Sequence, residues 1–307
     1  MSGRQALGQN DWEVVCRVAR RLLRTRVRRG ADFTVEPGAH LGPYTLHERI
    51  NAGGVSEIWL ATDGAGAPFA VRLMLDNRLL NFTERKRFLA GAEVLQSLPP
   101  HPAIIGYVEH GKIGGEIALV MEYVEGENLK LRMAANDPVL AENVAQVLID
   151  LAEALEHLHD HGFMHLDFKP ENVVMTRNGS IRLIDFDLAQ PIPKPPRKLE
   201  KNPGTPHYMA PEQLLRQPVD QRADIWAYGV TAYELLTFRK PFPGETPDAI
   251  LRRQLDRGDF AMPRAINPDI PVALERIILR CLEKDPERRY PVTSVLVHEV
   301  RQALYVA

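Results

Sequence analysis

Residues 44 to 123 are patterned like strands, and almost everything beyond Gly126 is spaced like helices. This segregation along the chain points to an α+β architecture. The stretches "YTLHERI", "SEIWLATD", "PFAVRLM" and "EIALVMEYV" have strand character, with turns at "NAGG", "DGAGA" and "KIGGE". One helix, "TERKRFLAGAEVLQSL", interrupts them and is stopped by Pro99 and Pro100. The later helices are "AENVAQVLIDLAEALEHLHDHG", "DQRADIWAYGVTAYELLTF", "PDAILRRQLDRG", "PVALERIILRCLEKD" and "VTSVLVHEVRQALYVA". Two short strands, "NVVM" and "IRLID", break that series, and the sequence contains no internal repeat.

With 307 residues, 45 % hydrophobic and 25 % charged, the chain can bury a core across two domains or one two-lobed unit. A net charge of −2 gives no overall pull towards nucleic acid or an anionic membrane. Cys16 and Cys281 lie far apart and make neither a metal-ligand spacing nor a disulfide framework. The N-terminus lacks an apolar signal core, no run is long enough to span a bilayer, and Gly3 follows Ser2 rather than Met1, which excludes a myristoylation start. These features predict a soluble, cytoplasmic protein. The chain also ends soon after its last helix, so the expectation is that no anchor or sensor follows and that input arrives through the N-terminal helix, a loop or a separate protein.

Residues 1–40 form a distinct extension. Trp12, Val15, Cys16, Ala19, Leu22, Leu23 and Val27 fall on one helical stripe, with Arg17, Arg20, Arg21, Arg24 and Arg28 largely off it. Packing of that stripe on the main body is the simpler reading. Contact with a membrane surface or a partner is the alternative. "PIPKPPRKLEKNP" is proline-rich and basic, and is expected to be an extended exposed loop whose Lys194, Arg197, Lys198 and Lys201 are either solvated or recruit an acidic partner.

The chemistry is concentrated in "HLDFKPEN", residues 165–172, and in "DFD", residues 185–187. Asp167 offers a carboxylate to orient a hydroxyl, and Lys169 an ammonium to neutralise a moving phosphoryl group. Asn172 and Asp185 add oxygen ligands suited to Mg²⁺. With these residues the chain resembles the protein kinases, specifically the bacterial, eukaryotic-like serine/threonine branch that Lys169 marks.

The resemblance covers residues 44–303. It implies a small antiparallel sheet with one main helix over residues 44–122 and a mostly helical lobe over residues 123–303. "GTPHYMAPEQ" is similar to the segment that closes the activation loop, and Glu212 would pair with Arg289 of "KDPERRYP". "DIWAYGV" supplies Asp224 and Trp226 of the central helix. "LVMEYVEGENL" resembles the hinge, with Met121 beside the adenine pocket and Glu122 to Val124 giving backbone hydrogen bonds; Ile58, Ala70 and Val174 would sandwich the base. ATP and Mg²⁺ are the implied cofactors, and a protein substrate or signalling partner is the implied target.

Several positions depart from the family. In "FAVRLM", Phe69, Val71 and Leu73 share one strand face and Ala70, Arg72 and Met74 the other, so Arg72 stands where the family has its phosphate-gripping lysine. Gly91 occupies the position of the helix glutamate that holds that lysine. Glu93 is about 200° further round and should face away, which predicts that the restraining ion pair is missing. The glycine-rich loop is reduced to "NAGGVS", in which Asn51 and Ser56 flank Gly53. Leu166 replaces the arginine that reads a phosphorylated loop, and no Ser, Thr or Tyr lies between Asp185 and Gly204. Asp187 replaces the glycine of Asp-Phe-Gly, as an exposed carboxylate, a metal-side ligand or a restraint on Phe186.

Two readings follow. One is an ATP-dependent Ser/Thr kinase, weak or unconventional, in which Arg72 contacts the α/β-phosphates imperfectly. The other is a pseudokinase that signals through nucleotide or partner binding. On the sequence alone, changing Arg72 to Lys and Gly91 to Glu together should improve transfer beyond either change.

Overall fold

The computed structural model describes residues 35–75, 82–200 and 204–305. The basic helix expected near the N-terminus lies outside them. Eleven strands and nine α-helices are defined among the described residues. A six-stranded antiparallel sheet is built from β1 (His40–Leu41), β2 (Tyr44–Ala52), β3 (Ser56–Thr62), β4 (Pro68–Met74), β5 (Tyr107–Ile113) and β6 (Glu116–Glu122), in the order β1-β2-β3-β4-β6-β5. Helix α1 (Phe82–Ser97) packs on this sheet beside β5.

Strand β5, "YVEHGKI", escaped the reading of the sequence for a physical reason. It is an edge strand, so Glu109, His110 and Lys112 are accommodated without a buried partner face, and alternation is lost. On β4 the alternation holds. Val71 and Leu73 lie in a core on the outer side of the sheet with Leu41, Tyr44, Leu46, Trp59 and Ala118. Ala70 and Arg72 point to the other side, where Ala70 pairs with Met121 and Arg72 with Ile58.

The remaining chain is mainly helical. It comprises α2 (Leu129–Ala134), α3 (Pro138–Asp160), α4 (Pro211–Leu214), α5 (Arg222–Thr237), α6 (Pro247–Leu255), α7 (Pro263–Ile266), α8 (Val272–Cys281) and α9 (Thr293–Tyr305). Helix α3 begins at Pro138, three residues before the expected "AENV". The carboxylate of Asp137 caps the Val139 and Leu140 amides, and proline suits the first turn. The short strands β7 (Gly126–Asn128), β9 (Val173–Thr176) and β10 (Ile181–Leu183) form one small sheet, and β8 (Phe163–Met164) pairs with β11 (Gln190–Pro191).

A second hydrophobic core runs without a break from Phe88, Ala92 and Leu95 of α1 through Leu119 and Met121 into α3, α5, α8 and α9. The fold is therefore a two-lobed α+β unit in which α1 is packed to both lobes. No helix among the described residues is long and apolar enough to cross a membrane.

Candidate active site

The site lies where β8, the turn after it, and the segment following β10 meet the inner face of the β4 sheet. Its geometry begins with Asp224 on α5, which is fully buried. This carboxylate accepts the amides of His165 (2.7 Å) and Leu166 (2.8 Å) and pairs with His159 Nε2 (2.9 Å). Burial alone would raise its pKa, but the His159 contact and the amide bonds hold it below the usual carboxylate range. Leu166 has φ +64°, a conformation costing a non-glycine residue about 1–3 kcal/mol, and the Asp224 bond pins it there. The strained turn aims the next residue, Asp167, into the cleft.

Asp167 is surrounded by donors. Oδ2 accepts Lys169 Nζ at 2.6 Å and Asn172 Nδ2 at 3.1 Å, while Oδ1 accepts the Thr205 amide at 3.1 Å and its hydroxyl at 2.9 Å. Lys169 Nζ also donates to Thr205 Oγ1 at 2.7 Å. Thr205 was not singled out from the sequence, although its place directly after Gly204 in "GTPHYMAPEQ" was the available signal. A hydroxyl held between a carboxylate and an ammonium has the surroundings that a phosphoryl acceptor needs.

The resemblance implies Mg²⁺, and the donor set here fits that ion. The Asn172 amide nitrogen is turned to the Asp167 carbonyl (2.9 Å) and carboxylate, which leaves Oδ1 to accept. Asp185 keeps about a third of its side chain exposed. Burial would raise its pKa, but Arg72 and the Asp187 amide (3.1 Å) hold it below the usual range, so it is ionised at neutral pH. Carboxylate and amide oxygens are the ligands hard divalent cations take.

Arg72 is the largest correction to the sequence reading. The helix carboxylate is absent as expected: Gly91 faces inward, and Glu93 is exposed. The ion pair is nevertheless present, because Asp187 supplies it. Nη1 and Nη2 of Arg72 meet Oδ1 and Oδ2 of Asp187 at 2.7 and 2.6 Å in a parallel fork. Asp187 is therefore neither a freely solvated carboxylate nor primarily a restraint on Phe186. Arg72 Nε donates to Ser56 Oγ (3.1 Å), Nη1 also reaches Asp185 (3.3 Å), and the guanidinium lies 5.1 Å from the Phe88 ring centroid. Only 11 % of the Arg72 side chain is exposed, so it is not a solvated strand residue.

Around the expected nucleotide pocket the residues are distributed as follows. Ile58, Ala70 and Met121 lie on the sheet face opposite the outer core, and Val174 lies on β9 opposite the buried Val173 and Met175. The Glu122 amide donates to Gly106 O (2.8 Å), which leaves only its carbonyl for the hinge bonds expected from Glu122 to Val124. The Glu122 side chain pairs with Arg182 (2.9 Å). In the "NAGGVS" loop Asn51 stays within β2 with negative φ, and the Gly53 amide closes on Ser56 O at 2.8 Å. Ser56 is buried against Arg72 rather than serving only as a small residue in the loop.

The loop after Asp187 is extended and mostly exposed, as its composition predicts, and is tied down by reciprocal backbone bonds between Arg197 and Val219 (3.3 and 2.9 Å). Lys201 lies outside the described residues. Further on, Glu212 and Arg289 form a buried two-bond pair at 2.6 and 2.7 Å.

Comparison with known proteins shows the family. The protein kinase domain matches residues 44–300, and the chain belongs to the protein kinase family. It is 32 % identical over 263 residues to a probable serine/threonine-protein kinase of Streptomyces coelicolor, a match covering 83 % of this chain and 39 % of that protein. It is 29 % identical to the serine/threonine-protein kinase PrkC of Bacillus subtilis, over 85 % of this chain and 40 % of PrkC. It is 34 % identical to the tyrosine-protein kinase MasK of Myxococcus xanthus, over 82 % of this chain and 42 % of MasK. The match thus spans about two fifths of each of these relatives.

Proposed function

We propose that the chain transfers the γ-phosphoryl group of ATP to a serine or threonine hydroxyl of a protein. The observation that carries this reading is the convergence of Asp167, Lys169, Asn172 and Thr205 on one point. Asp167 orients the acceptor hydroxyl and receives its proton. The acceptor's hydroxyl oxygen bonds to the γ-phosphorus as the bond to the β–γ bridging oxygen breaks and ADP leaves. Lys169 offsets charge on the transferred group. Asn172 and Asp185 would hold Mg²⁺, which when bound neutralises the phosphate oxygens. Asn51, Gly53 and Ser56 would cover the phosphates, Arg72 would contact them, and Ile58, Ala70, Met121, Glu122, Val124 and Val174 would enclose the base.

The departures in the sheet lobe were the case for a pseudokinase. That case is weakened by the Asp187 fork, because the cleft cation is held in place. Asp167→Asn is expected to lower phosphotransfer about a hundredfold or more while Mg-ATP still raises the melting temperature. Nucleotide stabilisation without any Asp167-dependent transfer would instead mark a binding module.

A further inference from the structure

Four departures from the family pattern fall on one set of contacts. Gly91 lacks the carboxylate expected on α1, Asp187 brings one into the segment after β10, Arg72 replaces a lysine, and Ser56 replaces a loop glycine to accept from Arg72 Nε. Gly91 lies so close to that segment that a Cβ would be 2.6 Å from the Phe186 carbonyl oxygen. The exchange preserves charge. Asp167, Asp185 and Asp187 against Lys169 and Arg72 leave a formal −1, as would a carboxylate at position 91 with glycine at position 187.

We propose that Asp187 is the positioning residue for Arg72, so that the grip on nucleotide phosphate is coupled to the metal-side turn at Asp185 instead of to helix α1. This inference rests on the kinase reading of the same site. A guanidinium is required because only its fork can meet both Asp187 oxygens while Nε bonds Ser56. Those contacts and the one to Asp185 occupy four of its five N–H bonds, leaving one Nη2–H for phosphate. The fork also keeps Arg72 from pairing fully with Asp185, the carboxylate a metal needs. Displacement of helix α1 then alters the site by moving the backbone of the Asp-Phe-Asp turn, with no ion pair of its own to break.

The test is a double-mutant cycle of Arg72→Gln and Asp187→Asn, read by Mg-ATP binding, by its magnesium dependence and by the KM-against-kcat split. Each single change is expected to weaken Mg-ATP binding about tenfold, and the double change no more than the worse single. Asp187→Asn alone should also raise the magnesium concentration for half-maximal binding, since Arg72 then turns to Asp185. A purely structural residue would lower the melting temperature without that shift. If Arg72→Gln does not fold, Arg72→Lys replaces it in the cycle, keeping the charge but losing the fork. Additive effects, an unchanged magnesium dependence, or tighter binding by Asp187→Asn would overturn the proposal. Wild-type protein that binds Mg-ATP but transfers nothing would sink the kinase reading and leave the cycle interpretable; wild-type protein that binds no Mg-ATP would overturn both.

Discussion

Gly91→Glu is expected to disable the protein, alone or combined with Arg72→Lys. The sequence by itself suggests the opposite, since the pair would restore the family's lysine and helix glutamate. The tertiary contact reverses that expectation. A Cβ at position 91 would lie 2.6 Å from the Phe186 carbonyl oxygen, 2.7 Å from its carbon and 2.8 Å from the Asp187 amide nitrogen. All three are backbone atoms of the turn that carries Asp185 and Asp187, so relief requires α1 or the turn to move. Overpacking of this kind costs about 1–3 kcal/mol for a methyl group, and Glu adds the burial of a carboxylate beside two others. Gly91→Ala should therefore lower the melting temperature by about 5 °C. Gly91→Glu should lower it further and reduce transfer at least about tenfold, because the displaced turn carries both the metal-side carboxylate and the Arg72 fork. Melting curves with a transfer assay check this. Recovery of activity in the Arg72→Lys, Gly91→Glu double variant would show that α1 can back away from the turn at little cost.

Arg289→Ala is expected to cost about 3–5 kcal/mol of stability, read as a shift of the urea midpoint. The pair with Glu212 is nearly inaccessible, at 0 % and 5 % side-chain exposure, so removing one partner strands the other charge. More is lost than the ion pair. Arg289 Nε and Nη1 also satisfy the carbonyls of Glu283 (2.8 Å) and Arg222 (2.9 Å), and its guanidinium lies over Trp226 at 5.1 Å. For this reason replacing both Glu212 and Arg289 with apolar residues should recover only part of the loss. That exchange can be neutral for an isolated buried pair, but here it leaves backbone carbonyls unpartnered. Full recovery in the double apolar variant would mean that water reaches those carbonyls.

Much of the site was legible because it is local in the chain. Asp167, Lys169, Asn172 and Asp185 fall within about twenty residues, and one turn, one short 3₁₀ segment and one hairpin bring them together. The helical period placed Gly91 inward and Glu93 outward, and the structure agrees. Strand alternation put Arg72 on the face of β4 opposite Val71 and Leu73, and the resemblance made that face the cleft side. The edge strand β5 went unseen because an exposed edge does not demand alternation. Thr205 went unseen because its contacts to Asp167 and Lys169 come from a loop more than thirty residues further on.

The sequence by itself determined the two-lobed architecture, the cluster from Asp167 to Asp185 and the presence of a cation at position 72. Strand and helix periodicity carried the first of these as far as strands followed by helices, and the resemblance carried by the motifs at 165–172 and 185–187 supplied the rest. Only the tertiary structure decided what holds that cation. Arg72 and Asp187 are 115 residues apart, and their fork forms because Gly91 lets α1 close against the backbone between Phe186 and Asp187. An ion pair leaves no periodic trace in the chain. Its partner is chosen by distance and desolvation, which exist only once the lobes have packed.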